Sequence, residues 1–436
     1  MGRPELERMT PPDPQASRRR WVVAGVLLLA TAINYMDRQT LASLAVRVAD
    51  AFSLTQEQYG NLEFVFGWAF AAGSLLFGWL ADRVSVRWLY PGVLLGWSAA
   101  GFATGLCSTY PELLACRVAL GLFEAGHWPC ALATTQRLLS RADRTLGNSV
   151  LQSGASVGAI LTPPAVLAVL RWADPGEAAR VAHLAAGGGL AVGATGVPPS
   201  VWQLPFLVLG AVGALWVVVW FAVVRPGDLE RREGPAETAG GSLWAAVCDR
   251  RFLALAVVVT CLNGSWQLIR AWLTKVLIQG RGYSEAEALL FNSAYYIATD
   301  VGCLTAGAAA LYLARRGVEV HRARLTVFGV CAALAALTVV AARLPAGWPL
   351  LGVLLVVGAG TLGLFPCYYS FVQELSATHV GKVSGVLAAF GWFVSSPFQK
   401  LFGRLVDQSG SFDLGLALAG LPPLVALGVL LLVWRK

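Results

Sequence analysis

Ile33-Asn34-Tyr35-Met36-Asp37-Arg38-Gln39-Thr40 decides how this chain is read. It lies inside the first long apolar run, which opens near Trp21 after the basic cluster Arg18-Arg19-Arg20. If a membrane helix is entered there, Asp37 lies roughly 24 Å along it at about 1.5 Å per residue. The adjacent acid and base then fall within a hydrocarbon layer about 30 Å thick. Charges at that depth are costly and persist where they face a water-filled cavity or each other, which marks them as functional candidates. The stretch therefore points beyond a membrane anchor to a transport pathway.

Composition supports a lipid environment. The chain has 436 residues, of which 56% are hydrophobic and 13% charged, with a mean hydropathy of +0.62. A soluble domain carries about 25% charged residues. One soluble core cannot bury this much apolar sequence, so lipid is part of the solvent. The net charge of +8 does not mark a nucleic-acid binder, because the basic residues fall between apolar runs instead of forming one face with interleaved aromatics. The eight cysteines mostly sit inside apolar runs without Cys-x-x-Cys spacing, and read as packing residues rather than a disulfide frame or metal site. The N-terminal run lacks a small-residue cleavage site and continues into Asp37-Arg38, so it reads as a retained first helix and not a secretory signal.

Runs long enough to span lie at 21-46, 58-81, 88-107, 111-135, 146-170 and 201-224, then at 252-278, 287-313, 324-343, 347-372, 382-404 and 412-434. This predicts an all-α membrane protein of twelve transmembrane helices in two six-helix bundles. Residues 1-20 form a tail, 21-224 the N-terminal bundle, 225-251 a linker and 252-434 the C-terminal bundle. Turn residues and charge in Arg225-Pro226-Gly227-Asp228 and Arg231-Arg232-Glu233-Gly234-Pro235 mark the linker as a loop. Loops on the side of the N-terminus hold 22 Lys and Arg, against seven on the other (Arg47, Arg171, Arg180, Lys275, Arg281, Arg343 and Arg404). The positive-inside rule puts both termini in the cytoplasm. Residues 182-197, apolar but short and glycine-rich before Pro198-Pro199, read as an external loop.

After the second run comes Gly78-Trp79-Leu80-Ala81-Asp82-Arg83-Val84-Ser85-Val86-Arg87. It resembles the loop signature between helices two and three of the major facilitator superfamily, with Ser85 and Val86 as departures. Gly78 permits close helix approach, Asp82 pairs with a base or caps a helix, and Arg83 and Arg87 anchor the cytoplasmic face. Within that superfamily the chain is similar to the anion:cation symporter family, which includes bacterial hexuronate, galactonate and glucarate transporters. Four stretches carry the similarity: 34-38, 117-129, 153-160, and 363-369 with Gln373-Glu374-Leu375. The C-terminal repeat of the signature, 307-317, has Leu311 where an acid would stand, and Arg270 puts a charge where the sugar-acid transporters have an aromatic or apolar residue.

Thr31, Asn34 and Arg38 form one stripe on helix one, with Asp37 at its edge and Tyr35 beside it. Arg117, Gly121 and Glu124 repeat on one face of helix four, with His127 about one turn further. The resemblance implies that both helices line a central cavity. There Arg38 would bind the carboxylate of an organic anion, since guanidinium offers a charged bidentate fork. Asp37 and Glu124 would carry the driving protons, because burial and a neighbouring arginine both tune an acid's proton affinity. The competing reading is that Asp37, Arg38 and Glu124 only hold helices together. Arg117, near the outer end of helix four, reads as structural.

In the second half, Asn263, Gln267, Tyr295, Tyr296, Tyr368, Tyr369 and Trp392 are candidates for substrate hydroxyls, with core packing the plainer reading. Arg270 and Asp300 are sharper: Asp300 is expected to pair with Arg270 or to gate the pathway, and a second cation at Arg270 would suit a dicarboxylate. Gly154-Ala155-Ser156-Val157-Gly158 matches a hydrolase pattern but lies in a membrane helix, where Gly154 and Gly158, like Gly92-Gly96 and Gly381-Gly385, allow close packing. No metal spacing, phosphate loop or complete catalytic set is visible, so the protein reads as a non-enzyme with no cofactor and a proton gradient as its drive.

The expectation is a monomeric secondary transporter, two bundles rocking about a midplane site. It would import a small sugar-acid anion with H+ across a lipid bilayer, with no nucleic-acid partner. Another organic anion, an exchange mode, or a non-transporting membrane sensor are the alternatives. Arginine outnumbers lysine 29 to four, which suits a GC-rich bacterial genome, and the expected location of such a multi-pass protein is the bacterial inner membrane.

Overall fold

The computed structural model describes residues 14–81, 83–138, 144–173, 199–229, 249–375 and 380–434. Asp82, the stretch 182-197, Cys248 and most of 225-251 lie outside the described residues. Every regular element among the described residues is helical. The first half holds α1 (Pro14–Ser43), α2 (Ala45–Ala51), α3 (Gln56–Ala81), α4 (Val86–Thr104), α5 (Tyr110–Glu124), α6 (His127–Leu138), α7 (Arg144–Ala173) and α8 (Gln203–Val223). The second holds α9 (Arg250–Lys275), α10 (Glu285–Arg315), α11 (Val320–Ala335), α12 (Thr338–Ala341) and α13 (Trp348–Leu375). It closes with α14 (Val380–Ser395), α15 (Pro397–Ser409), α16 (Asp413–Ala419) and α17 (Pro422–Val433).

Local chemistry sets the boundaries. Thr109 and Ser284 open α5 and α10 with capping boxes completed by Glu112 and Glu287, which satisfy otherwise orphaned amide donors. Gly410, at φ 66°, ends α15 in the left-handed conformation that favours glycine. Pro397 and Pro422 stand in the first turns of α15 and α17, where a missing N–H costs nothing. The chain also breaks at Ala125-Gly126 between α5 and α6, immediately after Glu124.

Among the described residues, eight helices are individually long and apolar enough to cross a membrane. The surface is apolar where a soluble protein's would be polar: Leu304, Leu432, Val218 and Leu215 are exposed. Inside lie Asp37, Arg38, Glu63, Arg117, Glu124 and Arg270, all buried. Exposed apolar residues around buried charges are what lipid as solvent selects. This is a multi-pass membrane protein.

Helix packing follows the small residues only in part. A side chain at Gly154 or Gly158 would strike the α1 backbone at Leu28 and Ala32, so α7 and α1 lie in near-backbone contact. Gly96 sits against Phe123 and Gly121 against the Phe66 carbonyl. Gly78, Gly92 and Gly385 correct the expectation of close approach, since a Cβ at any of them would meet nothing within 4 Å among the described residues. Gly92 and Gly385 face outward.

Three apolar clusters describe how the halves meet. One joins both, with Leu41, Leu44, Leu62 and Leu113 against Leu273, Leu277, Leu289 and Phe402. The other two belong to a single half each, around Trp97, Trp216 and Trp220 and around Phe328, Phe371 and Leu430. The end that carries the shared cluster and Arg47 is called distal here, and the end that carries Arg83 proximal. At the distal end Arg47 Nε donates to Glu285 at 2.7 Å, and Arg404 reaches Glu57 at 2.8 Å. Asp407 there accepts the first-turn amides of Gln56 and Glu57 at 2.9 and 2.7 Å, a carboxylate placed on a helix N-terminus. The distal end is closed across the halves, and the cores separate toward the proximal end.

Candidate functional site

Arg38 of α1 and Glu124 of α5 reach each other in the buried interior. Arg38 donates from Nε at 3.0 Å and from Nη2 at 2.7 Å, both to Oε2 of Glu124. Glu124 is fully buried and its Oε1 has no partner among the described residues. Tyr35, Phe66, Phe70 and Trp392 surround the guanidinium, with ring centroids 5.0 to 5.5 Å from Cζ, so the cation is held by π-faces as well as by one acid. Trp392 comes from α14, in the other half. Asp37 turns instead toward α4, where its Oδ1 lies against Gly101, and its Oδ2 has no hydrogen-bond partner among the described residues. The amide nitrogen of Asn34 is also buried and unpaired among the described residues.

His127, just past the α5–α6 break, pins three helices together. Its Nε2 is 3.1 Å from Thr31 Oγ1 and its Nδ1 2.9 Å from the Tyr90 hydroxyl. Thr31 spends its own proton on the Leu27 carbonyl. The ring therefore donates from Nε2 and accepts Tyr90's proton at Nδ1.

A second charged cluster joins the halves. Glu63 on α3 accepts from Arg117 of α5 at 2.9 Å and from Arg270 of α9 at 2.5 Å, one arginine on each oxygen. Arg270 also donates to Gln267 at 2.6 Å and to Gln39 at 3.2 Å. Gln39 in turn bonds the Tyr296 hydroxyl, while Gln267 is 3.4 Å from Asn263, which reaches Ser395.

The expected pairing of Asp300 with Arg270 is not formed. Asp300 accepts from Ser156 of α7 at 2.8 Å. Counted from the distal turn before Glu285, Arg270 lies about 15 Å down its helix and Asp300 about 22 Å down its own, so the two are at different levels. Tyr295 and Tyr368 are buried in packing, with the Tyr295 hydroxyl unpaired among the described residues, whereas Tyr369 is 54% exposed. In the signature loop, Arg83 stacks on Trp79 with its Cζ 4.1 Å from the ring, and Arg87 donates to the Val224 carbonyl that ends α8 at 3.3 Å.

The sequence reading missed Glu63, although it falls inside the predicted run 58-81. An acid within a membrane run is the same signal that singled out Asp37. Gln39 gave no such signal, being one polar residue beside a stronger pair.

Fold and site together define a membrane transporter with charged groups buried between two helical halves. The Major Facilitator Superfamily model matches residues 27–399, and the chain belongs to that superfamily. It is 24% identical to a D-galactonate transporter of Escherichia coli O6:H1 over 445 residues, covering 95% of this chain and 96% of the relative. It is 22% identical to the hexuronate transporter of Escherichia coli K12, covering 92% and 90%. Among solved structures, a bacterial homolog of the human lysosomal transporter Spinster, in an inward-facing and occupied conformation, superposes with a TM-score of 0.71. That likeness comes at 18% identity, covers 95% of both chains and concerns the fold alone.

Proposed function

We propose that the chain is a proton-coupled symporter of a small sugar-acid anion, working by alternating access. The observation that carries this reading is the buried Arg38–Glu124 pair, in which two of the three guanidinium nitrogens converge on a single carboxylate oxygen inside an aromatic box shared by the two halves. Protonation of Glu124 removes the negative charge that holds Arg38. The freed fork then takes the substrate carboxylate, which replaces Glu124 as counter-ion. Loss of the proton restores the original pair and expels the anion. Asp37, one residue away with an unpaired oxygen, is the second proton carrier. Asn34, Tyr35, Tyr369 and Trp392 border the anion and supply contacts for its hydroxyls.

The sugar-acid class rests on the names of the relatives and on an arginine at the centre of the site. In this reading twelve spans form two bundles, 21-224 and 252-434, with cytoplasmic termini. The distal end is then external, and the conformation described is closed outside. Purified protein in proteoliposomes should accumulate labelled galactonate or a hexuronate only under an inward proton gradient, and Arg38→Ala should abolish it. Accumulation that ignores the gradient would overturn the coupling. No uptake by folded protein would overturn the substrate class.

A further inference from the structure

Among the described residues, Arg270 is the one arginine of the C-terminal half in the buried network, and a second cation facing a carboxylate site would ordinarily suit a substrate with two carboxylates. The geometry around it argues otherwise. All three guanidinium nitrogens are engaged: Nη2 with Glu63 at 2.5 Å, Nε with Gln267 at 2.6 Å and Nη1 with Gln39 at 3.2 Å. The groups that hold it are themselves held, Gln39 by Tyr296 and Gln267 by Asn263. Glu63 and Arg270 are both almost wholly buried, at 2% and 3% exposure. Glu63 also carries Arg117 on its other oxygen at 2.9 Å. A second substrate carboxylate at Arg270 would have to displace Glu63, leaving two carboxylates close together in a space closed to water. Like charges so placed repel strongly, and a displaced buried charge loses its compensation. Arg38 differs, because its acid uses one oxygen and leaves the other unpaired among the described residues.

We propose that Glu63 is the fixed internal counter-anion of Arg270, and that it makes the site selective for substrates carrying one carboxylate over those carrying two. Glu63 is thus a specificity-determining residue that acts by occupying a cation. The inference rests on the reading of the transported solute as a sugar-acid anion held at Arg38. It adds the charge class of that solute, and it removes Arg270 from direct contact with it.

The test is equilibrium binding by the full-length protein in lipid nanodiscs, with galactonate and galactarate as probes. They share a six-carbon chain and differ in having one or two carboxylates. Wild type is expected to bind galactonate at least tenfold more tightly. Glu63→Gln should move the ratio at least tenfold toward galactarate, because Arg270 then lacks its internal anion. Since that variant leaves arginines uncompensated and can misfold, the double variant Glu63→Gln/Arg270→Gln carries the decision if it does. Removing the pair together should keep galactonate affinity within about threefold, since neither residue touches that substrate. Equal or tighter binding of galactarate by wild type, or loss of galactonate binding in a monodisperse double variant, overturns the assignment of Glu63 while leaving the sugar-acid reading intact. Binding of neither probe by monodisperse wild type overturns the sugar-acid reading and this inference with it.

Discussion

Arg38 and Glu124 meet through a single oxygen: Nε and Nη2 of the arginine lie 3.0 and 2.7 Å from Oε2 of the glutamate, and Oε1 is left without a partner among the described residues. A bidentate fork–fork pair would use both oxygens and be harder to open. The arrangement is one that protonation can release, and it sits at a helix break, α5 ending at Glu124 and α6 starting at His127. Interrupted helices at membrane mid-depth are a common frame for transporter sites.

Replacing Arg38 by Lys keeps the charge but loses the planar fork and its stacking among four aromatic rings. Galactonate affinity in Arg38→Lys should fall about tenfold or more, while thermal stability changes little. Equilibrium binding paired with a melting curve separates the two. Unchanged affinity would take Arg38 out of the binding site.

Asp37→Asn should lower gradient-driven accumulation without abolishing substrate binding, because Asp37 points toward Gly101 on α4 and not at Arg38. The measurement is the steady-state accumulation ratio at a fixed proton gradient, beside binding at equilibrium. A variant that binds poorly but accumulates normally would reverse the assignment.

The distal pair Arg47–Glu285 links α2 to α10 across the halves. Arg47→Gln should loosen distal closure, and the swap Arg47→Glu/Glu285→Arg should restore it. Spin labels on distal loops of the two halves would read this as a longer-distance population in the single variant and its loss in the swap. Identical distance distributions in all three proteins would show that the pair does not hold the distal end shut.

Gly158 is a stability prediction. A side chain there meets the Ala32 carbonyl and Tyr35 of α1. Gly158→Val should destabilise by about 1–3 kcal/mol through overpacking, read as a lower melting temperature in detergent. Gly92→Val, on an open outward face, serves as the control and should melt like wild type.

Much of this was legible in the sequence because helices write their faces into it at a period of about 3.6 residues. The stripe Thr31, Asn34, Arg38 and the face Arg117, Gly121, Glu124 each appear as local repeats, and the structure joins them through Arg38 and Glu124, while Arg117 turns to Glu63 and Gly121 packs on Phe66. Partners across the halves leave no such trace. Glu63 joins Arg117 and Arg270 from positions 54 and 207 residues away. Local spacing does not encode that contact, although the acid's depth in its run was a usable warning. The Asp300–Arg270 expectation failed for the same reason: two lone charges on successive helices look like natural partners until their depths are compared. Gly78 fits a familiar loop pattern, yet whether a glycine meets a neighbour depends on which way its face turns.

The most direct test of the account is Glu124→Gln in proteoliposomes, measured two ways on one preparation: accumulation under an inward proton gradient, and exchange of preloaded substrate without one. If Glu124 carries the proton, the neutral amide abolishes accumulation and leaves exchange within a few-fold of wild type. Accumulation that survives the substitution would contradict the account, and loss of both activities in folded protein would place Glu124 in substrate binding instead of coupling.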